Sequence, residues 1–195
     1  MLEFFANTHT YKLDGVDIPS VSEILRFLYR EVYEEPDKFL MDQAADRGTR
    51  VHAATEELDT KGCTTADPDI SGYVSAYVQF LKDHEVAWHA IEHMVSYEDW
   101  YAGTFDRFGR VDGKQMIIDI KTTSSISKKH KVLYGAQLTA YWRAVNCKEA
   151  DIAVLQLKSD GTYKLIPLEK QDEALDSCLK LHRIFSATKR RKKNG

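Results

Sequence analysis

Apolar and polar positions along the chain follow two periods, and their order predicts helices packed around a sheet. Tyr11 to Leu13 and Val16 to Ile18 read as the arms of a hairpin, because Asp14-Gly15 between them favours the positive φ angles of a tight turn. Ser20 opens a helix: Ser20-x-x-Glu23 has capping-box spacing, and Ile24, Leu25, Phe27 and Leu28 supply an apolar face. A second helix is predicted from about Asp37 to Thr60, with Gly48 inside it or at a break; on it His52 and Glu56, four apart, share a face. Asp67-Pro68 and Asp69 open a third, which runs to about His84 on a stripe of Ile70, Tyr73, Val74, Tyr77, Val78 and Leu81.

The pattern then turns to strands. Val86 to Tyr97, Thr104 to Val111 and Gln115 to Lys121 read as strands, the last two joined by Asp112-Gly113. An amphipathic helix follows over Leu133 to Val145. Ile152 to Lys158 and Tyr163 to Ile166 make another hairpin through Ser159-Asp160-Gly161, and a closing helix runs from about Glu169 to Lys189. This order supports a mixed α/β (α+β) fold, a central mixed β-sheet flanked by helices, with an N-terminal β-hairpin and helical segment. The length, 195 residues at 43% hydrophobic content, fits one domain. It divides into a hairpin and helical part (1–85), a sheet core (86–168) and a C-terminal helix with a basic tail (169–195).

Composition narrows the classes. No stretch approaches the roughly 18 to 20 apolar residues of a membrane span, and no charged n-region precedes an apolar h-region, so a soluble, cytoplasmic chain without a membrane partner is expected. Cys63, Cys147 and Cys178 are far apart and odd in number, which suggests neither a disulfide framework nor a Cys-x-x-Cys metal site. No Gly-xxxx-Gly-Lys-Ser/Thr loop is present, so no nucleotide cofactor is expected.

The net charge of −3 conceals an uneven distribution. Lys121 to Lys148 holds six Lys/Arg and no acid, and Ser177 to Gly195 holds seven and again none. Phosphate binding follows the local field, so an acid-free tract containing Lys128, Lys129 and Lys131 is a candidate DNA-tracking surface, with His130 beside it. The basic end, Lys189 to Lys193, reads equally well as a solubilising tail.

The chemistry concentrates in three runs. Gly103-Thr104-Phe105-Asp106-Arg107 is followed by Ile118-Asp119-Ile120-Lys121-Thr122-Thr123, and then by Gln137-xxx-Tyr141 on a helix. Asp106 and Asp119 can hold a divalent cation, and Lys121, two residues beyond Asp119, points to the same side of its strand. Phosphodiester hydrolysis needs that combination: carboxylate oxygens for the cation, and a lysine that orients water and offsets charge. Purely structural pairing stays open, Asp119 with Lys121 and Asp106 with Arg107 or Arg110.

These runs resemble the P-D-(D/E)-x-K nuclease superfamily, and within it the RecB-like and phage-type exonuclease branch, where Gly-x-x-Asp precedes Asp-x-Lys and a Gln-xxx-Tyr helix follows. Arg47-Gly48-Thr49-Arg50-Val51-His52 matches the upstream helix that carries a metal-binding His in that branch, and His9 to Leu25 resembles the opening of phage-encoded members. The resemblance spans about residues 5 to 160. It implies a restriction-endonuclease-like core, with His52, Asp106, Asp119 and the backbone carbonyl of Ile120 holding Mg²⁺ or Mn²⁺, and Gln137 and Tyr141 positioning Lys121 and a phosphate. Glu56 and Glu92 are candidates for hydrogen bonds to these ligands or for a second metal. With only three cysteines, the iron–sulfur subset of the branch is not expected.

Three functions follow from this. The leading one is a metal-dependent DNA exonuclease of phage or prophage recombination or repair, partnered by DNA and by a phage single-strand-annealing protein, with a homo-oligomeric ring among the arrangements known in relatives. The second is a structure-selective or restriction-like endonuclease on the same site. The third is a non-catalytic DNA-binding relative.

Overall fold

The structure is a computed structural model that describes residues 1–8, 10–33, 38–65 and 67–193, the side chains of 38–40 and 187–193 excepted. His9 and Asp37 therefore lie outside the described residues, as do the side chains of Lys189 to Lys193. A strand the sequence pattern did not predict, Leu2–Phe5 (β1), joins the expected hairpin of Thr10–Leu13 (β2) and Val16–Ile18 (β3) in a three-stranded antiparallel sheet. Asp14 and Gly15 take φ of +51° and +79° at its turn.

Ser20 caps the next helix as expected, its Oγ accepting the Glu23 N–H at 3.0 Å. The helix is broken at Leu25 into Val21–Ile24 (α1) and Arg26–Val32 (α2). Lys38–Lys61 (α3) passes through Gly48 without a break. Ser71–Asp83 (α4) starts four residues later than expected, because Asp67 and Asp69 turn their carboxylates to Arg50 instead of capping a helix. Its buried face is Val74, Ala76, Tyr77 and Phe80, rotated from the predicted stripe, with Leu81 at the margin.

Val86–Tyr97 (β4), Tyr101–Val111 (β5) and Lys114–Lys121 (β6) follow, then Lys128–Val145 (α5), Asp151–Leu157 (β7), Tyr163–Leu168 (β8) and Asp172–Lys193 (α6). The strands form a mixed sheet in the order β4-β5-β6-β7-β8, parallel only between β6 and β7, and α5 lies in the crossover that a parallel pair requires. Helix α5 begins five residues before the predicted start. Ser127 caps it, and His130, in the position usually held by Glu or Gln, returns its Nδ1 to Ser127. Lys128, Lys129 and Lys131 accordingly stand in the first turn of a helix, not in the loop before one.

Two apolar cores close on the sheet. Ile117, Ile152 and Val154 pack with α1, α5 and α6 on one face, while Ile118, Ile120, Ala153 and Leu155 pack with α3 and α4 on the other. Among the described residues, no helix is long and apolar enough to cross a membrane.

Candidate metal and phosphate site

The site forms where two strands part. The β5–β6 ladder runs from Val111↔Lys114 to Arg107↔Ile118 and stops. Just beyond, the Ile120 N–H finds no β5 carbonyl and donates to Asp106 Oδ2 at 2.6 Å. The β6–β7 register continues to Lys121↔Gln156, so β6 is still held from its other side.

Helix α3 brings His52 to this gap. Its Nε2 lies 3.0 Å from the Ile120 carbonyl oxygen, and its Nδ1 lies 3.6 Å from Asp106 Oδ2 and 3.5 Å from Glu92 Oε1. Burial alone would lower the His52 pKa; the Asp106 and Glu92 carboxylates outweigh burial and push it up to about 9. Glu92 reaches the gap through an unusual backbone: in the middle of β4 it takes φ of +43°, a left-handed conformation that costs energy for a side chain other than glycine.

A buried arginine fixes Glu92 there. The fully buried Arg107 donates to Asp59 Oδ2 from Nε at 2.7 Å, to Glu92 Oε1 and the Asp106 carbonyl from Nη1 at 3.1 and 2.8 Å, and to Thr55 Oγ1 from Nη2 at 3.1 Å. Tyr77 adds a hydrogen bond to the same Asp59 oxygen. Strict alternation on β5 fails here: Phe105 and Phe108 both pack toward α5, while Arg107 between them faces α3. The β4–β5 register shift between Trp88 and Ala90 accompanies this twist. Sequence reading had weighed Arg107 as a partner of the Asp106 carboxylate; it binds the Asp106 backbone instead.

Asp119 and Lys121 keep the parity of Ile117 and face α5. Lys121 Nζ sits 2.5 Å from Asp119 Oδ2 and 5.1 Å from the Tyr134 ring centre. Gln137 Nε2 donates to Asp119 Oδ1 at 3.3 Å and approaches Tyr141 Oη at 3.4 Å. Gln137 thus orients Asp119, the carboxylate that Lys121 meets, and Tyr141 stands behind Gln137. Burial raises the pKa of Asp119 by more than Lys121 lowers it. Burial would lower Lys121, yet the Asp119 and Asp106 carboxylates hold it above the ordinary lysine value.

This donor set suits a divalent cation. Ligand atoms of His52, Glu92 and Asp106 lie within 4.8 Å of one another, and the Ile120 carbonyl lies beside them. Four carboxylates, Asp59, Glu92, Asp106 and Asp119, meet two permanent cations, Arg107 and Lys121, together with His52. Asp119 Oδ2 is buried and is met by the Lys121 ammonium. An excess of buried negative charge is what a bound cation would relieve. Mixed nitrogen and oxygen ligands suit Mn²⁺ as well as Mg²⁺.

Of the expected ligands, His52, Asp106 and the Ile120 carbonyl converge. Asp119 stands just outside the trio, and Glu92, expected in a supporting role, stands inside it. Glu56 is exposed, and lines a cavity beside His52 and Glu92 and another toward Arg50 and Lys61. The acid-free tract is not one surface, because Arg143 is taken by Asp172 and Asp176 of α6. Sequence reading missed Asp59, whose signal was its place two helical turns beyond His52. No protein-family model matches the chain, and no curated protein sequence matches it.

Proposed function

We propose that this chain is a divalent-metal-dependent deoxyribonuclease of the P-D-(D/E)-x-K type, in the RecB-like and phage-type exonuclease branch, acting in the cytoplasm. The observation that carries the reading is the meeting of His52, Glu92, Asp106 and the Ile120 carbonyl with the Asp119–Lys121 pair at the parted ends of β5 and β6. His52, Asp106, Glu92 and the Ile120 carbonyl would hold Mg²⁺ or Mn²⁺, with Asp119 beside them. A cation bound there supplies Lewis acidity toward a phosphoryl oxygen.

The chain's own groups do the rest. Lys121, protonated at neutral pH, orients the attacking water and offsets charge that grows on the phosphate. Gln137 donates to Asp119 Oδ1, the oxygen that Lys121 does not take, and Tyr141 steadies Gln137. Burial around Asp119 keeps bulk water from screening these interactions.

The test sets end-labelled linear duplex and single strands against closed circular DNA, with Mg²⁺ or Mn²⁺ and with EDTA. Metal-dependent loss of label from linear DNA, with circles intact, is the expected result. Cutting of closed circles would favour the endonuclease reading, and metal-dependent binding without cleavage the non-catalytic one. An annealing protein would take up the single strand that an end-directed enzyme leaves.

A further inference from the structure

We infer that the cleft beside Lys121 carries a second phosphate of the DNA strand, held by Arg47 and Lys158; this rests on the nuclease reading of the adjoining site. The cleft encloses 740 Å³ and shares His52, Ile120 and Lys121 with that site, so a strand whose scissile phosphate lies at Lys121 must continue into it or leave the protein. Arg47 enters from α3 and Lys158 from the turn after β7. In the parallel register Lys121 is opposite Gln156, which sets Lys158 beyond the Lys121 end of the sheet.

The surroundings of Arg47 suit an anionic partner. Its Nε is buried with no hydrogen-bond partner among the described residues, and its guanidinium lies over the Tyr73 ring at 5.6 Å. Three residues on, Arg50 is occupied by Asp46, Asp67 and Asp69. Neither Arg47 nor Lys158 makes a salt bridge among the described residues, although Lys158 exerts an electrostatic pull on Asp160. Leaving a charged donor buried and unsatisfied is costly, and a stacked guanidinium is suited to bidentate contact with phosphate oxygens. The cleft's one acid, Asp160, has its carboxylate turned to the Thr162 N–H and hydroxyl, so it does not oppose an anion directly. Gly48 adds no side chain to the wall, since a Cβ there would meet nothing within 4 Å.

Binding of a fluorescently labelled single-stranded oligonucleotide in metal-free buffer, across a salt series, tests the assignment apart from catalysis. Arg47→Ala should weaken binding about tenfold or more and reduce the salt slope by about one unit, and Lys158→Ala should do so to a lesser degree. Arg47→Lys, a point charge without the fork, should recover only part of the loss. Arg110→Ala, at an exposed strand position outside the cleft, should leave binding unchanged. Mn²⁺ affinity by calorimetry should match wild type in all four variants and none should melt below wild type, which excludes misfolding as the cause. Unchanged affinity and slope in both Arg47 variants would overturn the inference, as would Arg47-dependent binding of inorganic phosphate as tight as that of the oligonucleotide, which would make the cleft a small-anion pocket. Wild-type protein that binds the strand through Arg47 yet never cleaves it would sink the nuclease reading and leave the cleft assignment standing.

Discussion

A Cβ placed on Gly103 would lie 2.6 Å from Tyr141 Cε1, so the glycine of Gly103-x-x-Asp106 is what lets the Tyr141 ring approach β5 closely. The consequence runs inward through Tyr141 to Gln137 and from Gln137 to Asp119. Gly103→Ala should cost about 1–3 kcal/mol of stability through overpacking and lower turnover by up to about a hundredfold, because small displacements at a reacting centre are expensive. Metal affinity should hold, since Asp106, Glu92 and His52 are not on that path. A variant with wild-type turnover in a label-release assay would break the proposed chain.

Arg107 and Asp59 make the second prediction. Removing one partner of a buried ion pair strands the other, so Arg107→Met or Asp59→Ala should each destabilise the fold by about 3–5 kcal/mol in urea unfolding. Arg107→Met also frees Glu92, whose side chain, on a left-handed backbone, is otherwise met among the described residues by His52 alone. Metal affinity should therefore fall along with stability. A loss below about 1 kcal/mol, the range of an exposed pair, would show that the cluster relaxes freely and that Arg107 does not hold the site.

Why some of this was legible in the sequence and some was not follows from range and regularity. Asp119, Lys121 and their strand could be read because β6 alternates and because one turn, Asp112-Gly113, fixes its pairing with β5. His52 could be placed only by motif, since a helix face does not say what it meets across the fold. That Glu92 joins His52 and Asp106, and that Arg107 turns to Asp59, was not legible because both depend on broken alternation: a left-handed residue in β4, and a twist that turns Arg107 away from the side of Phe105 and Phe108. The early start of α5 escaped because His130 takes the role that Glu or Gln usually signals. β1 has four residues and acquires its meaning only by pairing with β2.

His52 sets the pH dependence. Its folded pKa, about 9, lies above the ordinary 6.5, so its protonation stabilises the metal-free fold fully below about pH 6.5 and that contribution is lost as pH rises through about 9. Metal binding through the ring must displace that proton. Between pH 6.5 and 9, Mn²⁺ affinity should rise by nearly tenfold per pH unit, with close to one proton released per ion in calorimetry across buffers of different ionisation enthalpy. His52→Gln should flatten both the affinity slope and the pH dependence of metal-free melting. A wild-type affinity independent of pH in this window would place His52 outside the metal's ligands.

Metal binding and turnover should separate by residue. Asp106→Ala and Glu92→Ala should each weaken Mn²⁺ binding by at least about tenfold and reduce cleavage with it. Lys121→Ala should leave the ion nearly as tightly held yet cut turnover by roughly two to three orders of magnitude, the scale of losing one charge-stabilising group. Asp119→Asn should lie between these, with a larger effect on turnover than on binding, because Asp119 stands beside Lys121 and outside the trio. EDTA should abolish wild-type activity; robust hydrolysis in its presence would remove the metal from the mechanism altogether.

Lys128, Lys129 and Lys131 carry the last prediction, and their position gives it two opposite signs. They are exposed in the first turn of α5, where the partial positive charge of the helix end repels them. Replacing all three with Ala should therefore stabilise the helix by a few tenths of a kcal/mol or more, partly offset by losing the Lys129 Nζ contact to the Glu31 carbonyl at 3.2 Å. If the same lysines meet DNA phosphates, the triple variant should bind duplex more weakly whatever its sequence, with a salt slope reduced by about two to three units and turnover at saturating DNA little changed. A more stable protein with poorer, less salt-sensitive binding is the signature of three charges kept at an unfavourable place for the sake of an anionic partner. Equal affinity and equal salt slope would identify them as a solvated helix start, and the path of the DNA would then rest on the cleft of Arg47 and Lys158.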